Sequence, residues 1–442
     1  MSSAEVSTHK RKASSPAVSG SSDSQQHDSK KSRKDNTELH TNDCEDPDCE
    51  GCAEGEIVLQ FDSKPSAVEL FHMAREELTS NAAGSSSSES GSVGISRMAK
   101  ALFDKAIEEF QTLDKTNSHI ELNDGTEVAL QVVETKIQHA ACVITMGNNI
   151  PSLEMLQEGT SMFEDLAKKT AYGNGNVLVG LGIAEISQAR ELRRKAMKAL
   201  ELEDEDDEPS EEQKDAAALI GKPEAKLVNS AIENFNKGLT LLKSSAKSES
   251  LFAQESIRSA QELEEYGIAL DPSLNSDLAT NIFDQAIQHL EDAKKASSSL
   301  VESNSDVLSL YGSCLYSKAK LVNDQTEGDE NPAKQFVEKA IEILVKAETM
   351  QGEEGDAKTL ETLGQVYLMS IDLIEEDEDL IMERIDAAKE KLSRALELNP
   401  YNFALEEQVE ALCGDDNGDG EDFEDQSGEE EGEEDEDEED EE

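Results

Sequence analysis

A short helical signature that returns along the chain limits its fold more than any other feature. It is a small residue, a large residue four positions on, and a small or aliphatic residue three positions after that. It occurs as Ala99, Phe103 and Ala106; as Gly159, Phe163 and Leu166; and as Ala231, Phe235 and Gly238. It returns as Ala279, Phe283 and Ala286, as Ala333, Val337 and Ala340, and as Ala388, Leu392 and Ala395. Steps of four and three keep the three residues on one face of an α-helix. Small residues there let a partner helix come close, and the large one fills the remaining space. Between residues 66 and 412 apolar residues recur at three and four spacings, with no sustained period-two run, so the spacing predicts an all-α body.

The clearest unit lies near the end of that body. Leu360, Leu363, Gly364 and Tyr367 follow L-x-x-L-G-x-x-Y, and Ala388, Leu392, Ala395, Leu396, Leu398 and Pro400 follow A-x-x-x-L-x-x-A-L-x-L-x-P. These resemble the first and second helices of a tetratricopeptide (TPR) unit, the closing proline ending the second helix. Weaker first-helix partners sit at Leu178, Leu181 and Gly182 and at Leu308, Tyr311, Gly312 and Leu315. The reading is a TPR-like α-solenoid of about six helix pairs, with starts near Ser66, Thr126, Asn176, Ser250, Ser305 and Asp356, and a capping helix over 402–412. A coiled coil is not expected. Polar insertions near 80–96, 201–213, 323–331 and 375–379 split several pairs, which would place an acidic fringe along one edge of the stack.

The chain divides into a basic N-terminal region, 1–55, a repeat domain, 56–412, and an acidic tail, 413–442. Both ends are expected to be disordered, since neither carries enough apolar surface to offset chain entropy. The basic clusters Lys10, Arg11 and Lys12 and Lys30, Lys31, Arg33 and Lys34 read as a nuclear localisation signal, against the plainer reading of a solvated basic tail. The expected localisation is the nucleus, with shuttling to the cytoplasm. Ser15, before Pro16, and Ser427, in acidic sequence, are weak kinase-type motifs.

Charge narrows the partners. Ninety-nine Asp and Glu face 40 Lys and Arg, a formal net charge of -59, and residues 415–442 supply twenty of those acids. Such a surface repels phosphate backbones, so proteins, basic ones especially, are the expected partners and direct nucleic-acid binding is not. No apolar stretch suggests a secretory signal or a membrane span.

Searching for chemistry yields little. His40, Cys44, Cys49 and Cys52 lie within thirteen residues, and Cys49-x-x-Cys52 has the bite for one zinc ion. The other two match no finger spacing, so unpaired thiols in a linker are the competing reading and no cofactor is expected. Cys142, Cys314 and Cys413 sit on apolar helical faces and read as small core residues. His119, His139 and His289 have no metal-pairing neighbour one turn away. There is no phosphate-binding glycine loop after a strand, and 172–176 fits a helix break better. Nothing converges into nucleophile, base and stabiliser, so the chain is read as non-enzymatic.

TPR stacks bind peptides or helices in a groove lined by first helices. The most polar first helix carries a basic island, with Arg190, Arg193 and Arg194 as the candidate partner groove for an acidic ligand. The alternative is that they neutralise the acidic run 201–208 just downstream.

The layout as a whole is a basic N-terminus, a divergent TPR-like body, acidic interruptions and a final TPR-like unit. It resembles the fungal enhancer of translation termination family, best over about 251–412. The resemblance implies a nuclear adaptor that regulates translation termination and hypoxic gene expression. A second resemblance, to acidic TPR histone chaperones, implies a basic-protein chaperone working through its acidic loops and tail. The oligomeric state is left open by both.

Overall fold

The computed structural model describes residues 64–84, 96–171, 173–201, 211–245, 249–325, 332–352, 355–374 and 377–413. Contacts divide the chain into units 1–58 and 59–442, and every described residue belongs to the second. The two basic clusters, His40, Cys44, Cys49, Cys52 and residues 414–442 lie outside the described residues. So do most of the insertions at 80–96 and 201–213 and parts of the two shorter ones.

The described residues are helical throughout, without a strand. Six antiparallel pairs follow one another. They are α1 (Ala67–Gly84) with α2 (Arg97–Thr116), α3 (Glu127–Asn149) with α4 (Leu153–Lys169), and α5 (Gly175–Glu201) with α7 (Lys222–Ser244). Then come α8 (Glu249–Ile268) with α9 (Pro272–Ala296), α11 (Ser305–Gln325) with α12 (Ala333–Gln351), and α13 (Ala357–Ile371) with α14 (Glu378–Leu398). A last helix, α15 (Phe403–Cys413), packs on α14. Two short helices interrupt the alternation: α6 (Glu211–Ala218), inside the connector of the third pair, and α10 (Ser298–Glu302), between pairs four and five. α6 overlaps a segment whose sequence reads as acidic insertion. Its alanines supply the helix-forming stretch beyond the acids.

Each first helix also touches the first helices of neighbouring pairs, from α1 to α3 and on through α5, α8, α11 and α13. The first helices therefore line one face of this unit. Local capping sets several starts: Thr126 accepts from the Ala129 amide at 3.2 Å, Asp356 from Thr359 at 2.8 Å and Ser96 from Ala99 at 3.0 Å. At α1, Ser66 and Glu69 cap each other's amides reciprocally.

The recurring signature lies on the second helices and is buried in every repeat. In three pairs its large residue meets a glycine of the first helix: Phe235 against Gly182, Phe283 against Gly267, and Leu392 against Gly364. A Cβ on Gly364 would fall 2.5 Å from Leu392 Cγ, a separation real atoms do not adopt. Leu363, Tyr367, Ala388 and Ala395 are buried around that contact, whereas Pro400 is exposed just beyond the α14 C-cap, Asn399. Cys142 and Cys314 are core residues; Cys413 departs from that expectation and is exposed, because α15 has no second helix over its far side among the described residues. His139 is buried between helices, its Nδ1 2.8 Å from Asp114, and His289 lies 3.2 Å from Asn236; His119 is exposed.

Gly364→Val should lower thermal stability by about 1–3 kcal/mol through overpacking, and Leu392→Ala by about 2–5 kcal/mol through a cavity. In a double-mutant cycle the pair should cost clearly less than the sum, since each change makes room for the other. Strict additivity in chemical denaturation would show that the two side chains do not share that space.

Candidate functional site: the first-helix face

Two clefts open on the first-helix face, with α8 as their common wall. One, of about 180 Å³, lies among α3, α5 and α8; the other, of about 500 Å³, lies among α8, α11 and α13. The repeat brings these helices together, so residues more than a hundred positions apart in sequence line one surface.

In the smaller cleft Glu134 accepts a hydrogen bond from Gln138 at 3.1 Å, and Glu262 pairs with Arg190 at 3.1 Å. Glu255 is 18 % exposed, and its ion-pair partner among the described residues is Arg258 at 3.9 Å. Burial pushes the Glu255 carboxyl above its ordinary range, with Glu134 adding repulsion and Arg258 offsetting part of the effect. Burial likewise raises Glu262 against the pull of Arg190. In the larger cleft Glu264 is buried, accepts from the Ser313 hydroxyl at 2.6 Å and sees Lys358 at 3.6 Å. Glu265, Asp306 and Asp356 complete its acidic lining, and the Ser309 and Thr359 hydroxyls bond across it at 2.7 Å.

The three arginines of the basic island go separate ways. Arg190 bridges the two clefts, 3.1 Å from both Glu262 and Glu265. Arg194 grips Glu191 of its own helix with two bonds, at 2.7 and 2.9 Å. Arg193 is 5 % exposed and turned away from the face. Its guanidinium holds Glu224 of α7 by paired bonds of 2.8 and 3.2 Å and donates to the Ala218 carbonyl at 2.6 Å. Tyr266 of α8 donates to the same Glu224 at 2.6 Å, and burial together with that carboxylate raises its phenol. As a ligand contact Arg193 is therefore corrected: a buried guanidinium with its donors committed to Glu224 and Ala218 cannot reach a groove. The alternative, that the island neutralises 201–208, falls almost wholly on residues outside the described ones.

This network, joined by Asn275, which donates to Ala218 and accepts from Ile220, was not legible in sequence. Its only local trace is Glu224 beside Pro223 in the first turn of α7.

A third cleft, of about 320 Å³, lies among α12, α13 and α14, with Val337, Ile341, Leu373 and Leu380 in its lining. Among the described residues no group of three or more potential ligands could hold a metal, and no helix is long and apolar enough to cross a membrane.

No protein-family model matches the chain, and no curated protein matches it in sequence. Among solved structures it is similar to the S. pombe nuclear import adaptor Nro1 in two crystal forms. In the P21 form the identity is 13 %, over 78 % of this chain and 97 % of that one, with a TM-score of 0.43. In the P6522 form it is 14 %, over 81 % and 99 %, with a TM-score of 0.42. A further structure, described as Nro1, a hypoxic regulator of sterol synthesis and nuclear import adaptor, gives 13 %, 78 %, 91 % and 0.40. Similarity at this level carries no information about ligand or partner.

Arg193→Met should destabilise the fold by about 3–5 kcal/mol, because it strands the Glu224 carboxylate in the interior. Adding Glu224→Gln should recover much of that loss in urea denaturation, whereas a surface pair would show little effect from either change. Glu255 gives a pH signature. A carboxyl whose folded pKa is raised binds its proton more tightly when folded, so its contribution to stability is lost as pH climbs through that raised value. Glu255→Gln should therefore melt higher than the parent at pH 7, with the gap closing towards pH 4; a constant gap across that range would exclude the effect.

Proposed function

We propose that this chain is a non-enzymatic nuclear adaptor that docks a partner protein on the face built by α3, α5, α8, α11 and α13. One observation carries the reading: side chains from all five of these helices line two clefts that share α8, so the repeat assembles a single receiving surface. Rigid helices with interdigitated cores present such a surface with little ordering cost on binding. The basic clusters at 10–12 and 30–34 are the import signal in this reading, with Lys10, Arg11, Lys12, Lys30, Lys31, Arg33 and Lys34 as its contacts. Resemblance to the enhancer of translation termination family makes the termination machinery the first place to seek the partner, and hypoxic gene regulation the second.

A chaperone for histones or other basic proteins is the alternative, favoured by the twenty acids of 415–442, which no Lys or Arg interrupts. Affinity purification of the tagged full chain from nuclear extract, with identification of what co-purifies, separates the two. A Gln261→Lys, Asp306→Lys variant should lose the adaptor's partner by about tenfold or more, and deletion of 415–442 should spare it. Release on deletion, with the double variant unaffected, would establish the chaperone and remove the adaptor.

A further inference from the structure

We infer that the first-helix face takes a lysine- or arginine-bearing segment of a partner protein, its cationic side chains entering the clefts on either side of α8. This rests on the docking reading above and adds the sign and kind of ligand.

Three observations converge on it. The first is the balance of lining charge. Glu134, Glu255 and Glu262 face the smaller cleft and Glu264, Glu265, Asp306 and Asp356 the larger, while the lining cations are Arg258 and Lys358, with Arg190 between the clefts. The basic island that sequence places here does not reverse this sign, because Arg193 is withdrawn to Glu224 and Arg194 to Glu191.

The second is a buried acceptor without a donor, beside a carboxylate whose ion pair is long. Glu255 is four-fifths buried, and its ion-pair partner among the described residues, Arg258, stands off at 3.9 Å. In the same cleft Asn176 Oδ1 is buried and has no partner among the described residues; the one unpartnered buried donor nearby, Arg190 Nε, belongs to a guanidinium already held by Glu262 and Glu265. An orphaned buried acceptor costs roughly 1–3 kcal/mol, and a donor brought by a ligand would remove that cost. Ammonium and guanidinium groups are donors only, so they suit a site of this composition; a carboxylate or phosphate would add one more acceptor to it.

The third is shape and polarity. The smaller cleft has room for one long side chain rather than a folded element, and the larger accommodates a few residues of extended chain. Serine, threonine and carboxylate groups line much of the larger cleft, which does not match the apolar trough that receives an amphipathic helix. A flexible basic stretch meets all three conditions.

The test uses the full chain and two probes, the octapeptides (Lys-Ser)4 and (Glu-Ser)4. Each is coupled by carbodiimide, which joins amine to carboxylate without a spacer, and the joined residues are mapped by mass spectrometry. Binding of fluorescent versions is followed alongside by polarisation at low and moderate salt. The expected result is coupling of (Lys-Ser)4 at Glu255, Glu265 or Asp306, in addition to any at 415–442. A Glu255→Gln, Glu265→Gln, Asp306→Asn variant should bind this peptide about tenfold more weakly and with a shallower salt dependence. Should the variant fold poorly, the coupling map of the parent chain decides alone.

Coupling of (Lys-Ser)4 confined to 415–442 would overturn the inference, as would unchanged affinity in a folded variant. Coupling of (Glu-Ser)4 to Lys358 in preference would reverse the sign of the ligand. If either happens while the Gln261→Lys, Asp306→Lys variant still loses its partner, docking on this face stands and only the cationic ligand is withdrawn.

Discussion

The close approach of paired helices underlies everything else in this protein. A large side chain on each second helix lies within a ring of small residues, and in three pairs it rests directly on a glycine of the first helix. Interlock of that kind holds the paired helices close, because any side chain at the glycine position would collide with the large residue. With the signature buried in all six pairs, the first helices come side by side and each pair packs on its neighbours. The interlock also explains how a chain of net charge -59 keeps a defined body. Self-repulsion acts between exposed carboxylates across water, where it is screened, while packing acts at contact.

The third pair shows what happens where the interlock is interrupted by a long insertion. α5 and α7 are separated by twenty residues, which include α6, and no short turn holds their ends in register. A buried polar junction stands in for that turn. Arg193 of α5, Glu224 of α7 and Tyr266 of α8 meet below the surface, and Ala218 and Asn275 tie the end of α6 and the start of α9 to the same point. Removing a guanidinium and a carboxylate from water is expensive, so such a junction adds less net stability than apolar packing would. Its contribution is geometric, since every donor and acceptor has one arrangement that satisfies it. That is consistent with its position in the middle of the stack, where the two clefts meet along α8.

How much of this was legible in sequence follows from the range of the interactions involved. The six pairs were, because the signature Ala388, Leu392 and Ala395 and its relatives are set by spacing within one helix. Starts at Thr126, Ser305 and Asp356 agree with the structure to within a residue, since capping is likewise local. The arginines were legible as a basic island but not in their roles, since the partner of Arg193 lies 31 residues away and that of Arg190 lies 72 away. Charge pairing across helices leaves no periodic trace. Cys413 was misplaced for a related reason: an apolar helical face predicts burial only when another helix arrives to cover it.

The sign of the first-helix face has the same origin, and it bears on specificity. An acidic protein attracts cations everywhere, so net charge accelerates encounter without choosing a site. Choice requires places where a cation gains more than it does on the open surface. Partial neutralisation within the face creates them: Arg190 occupies Glu262 and Glu265 from one side, and Lys358 stands at 3.6 Å from Glu264, while Glu255 has its ion-pair partner among the described residues at 3.9 Å. The long-range field is screened by salt, and the four-fifths-buried carboxylate much less so. Attraction and selection are therefore separable in this fold, the first resting on the acids spread over its surface and the second on the few that the repeat gathers beside α8.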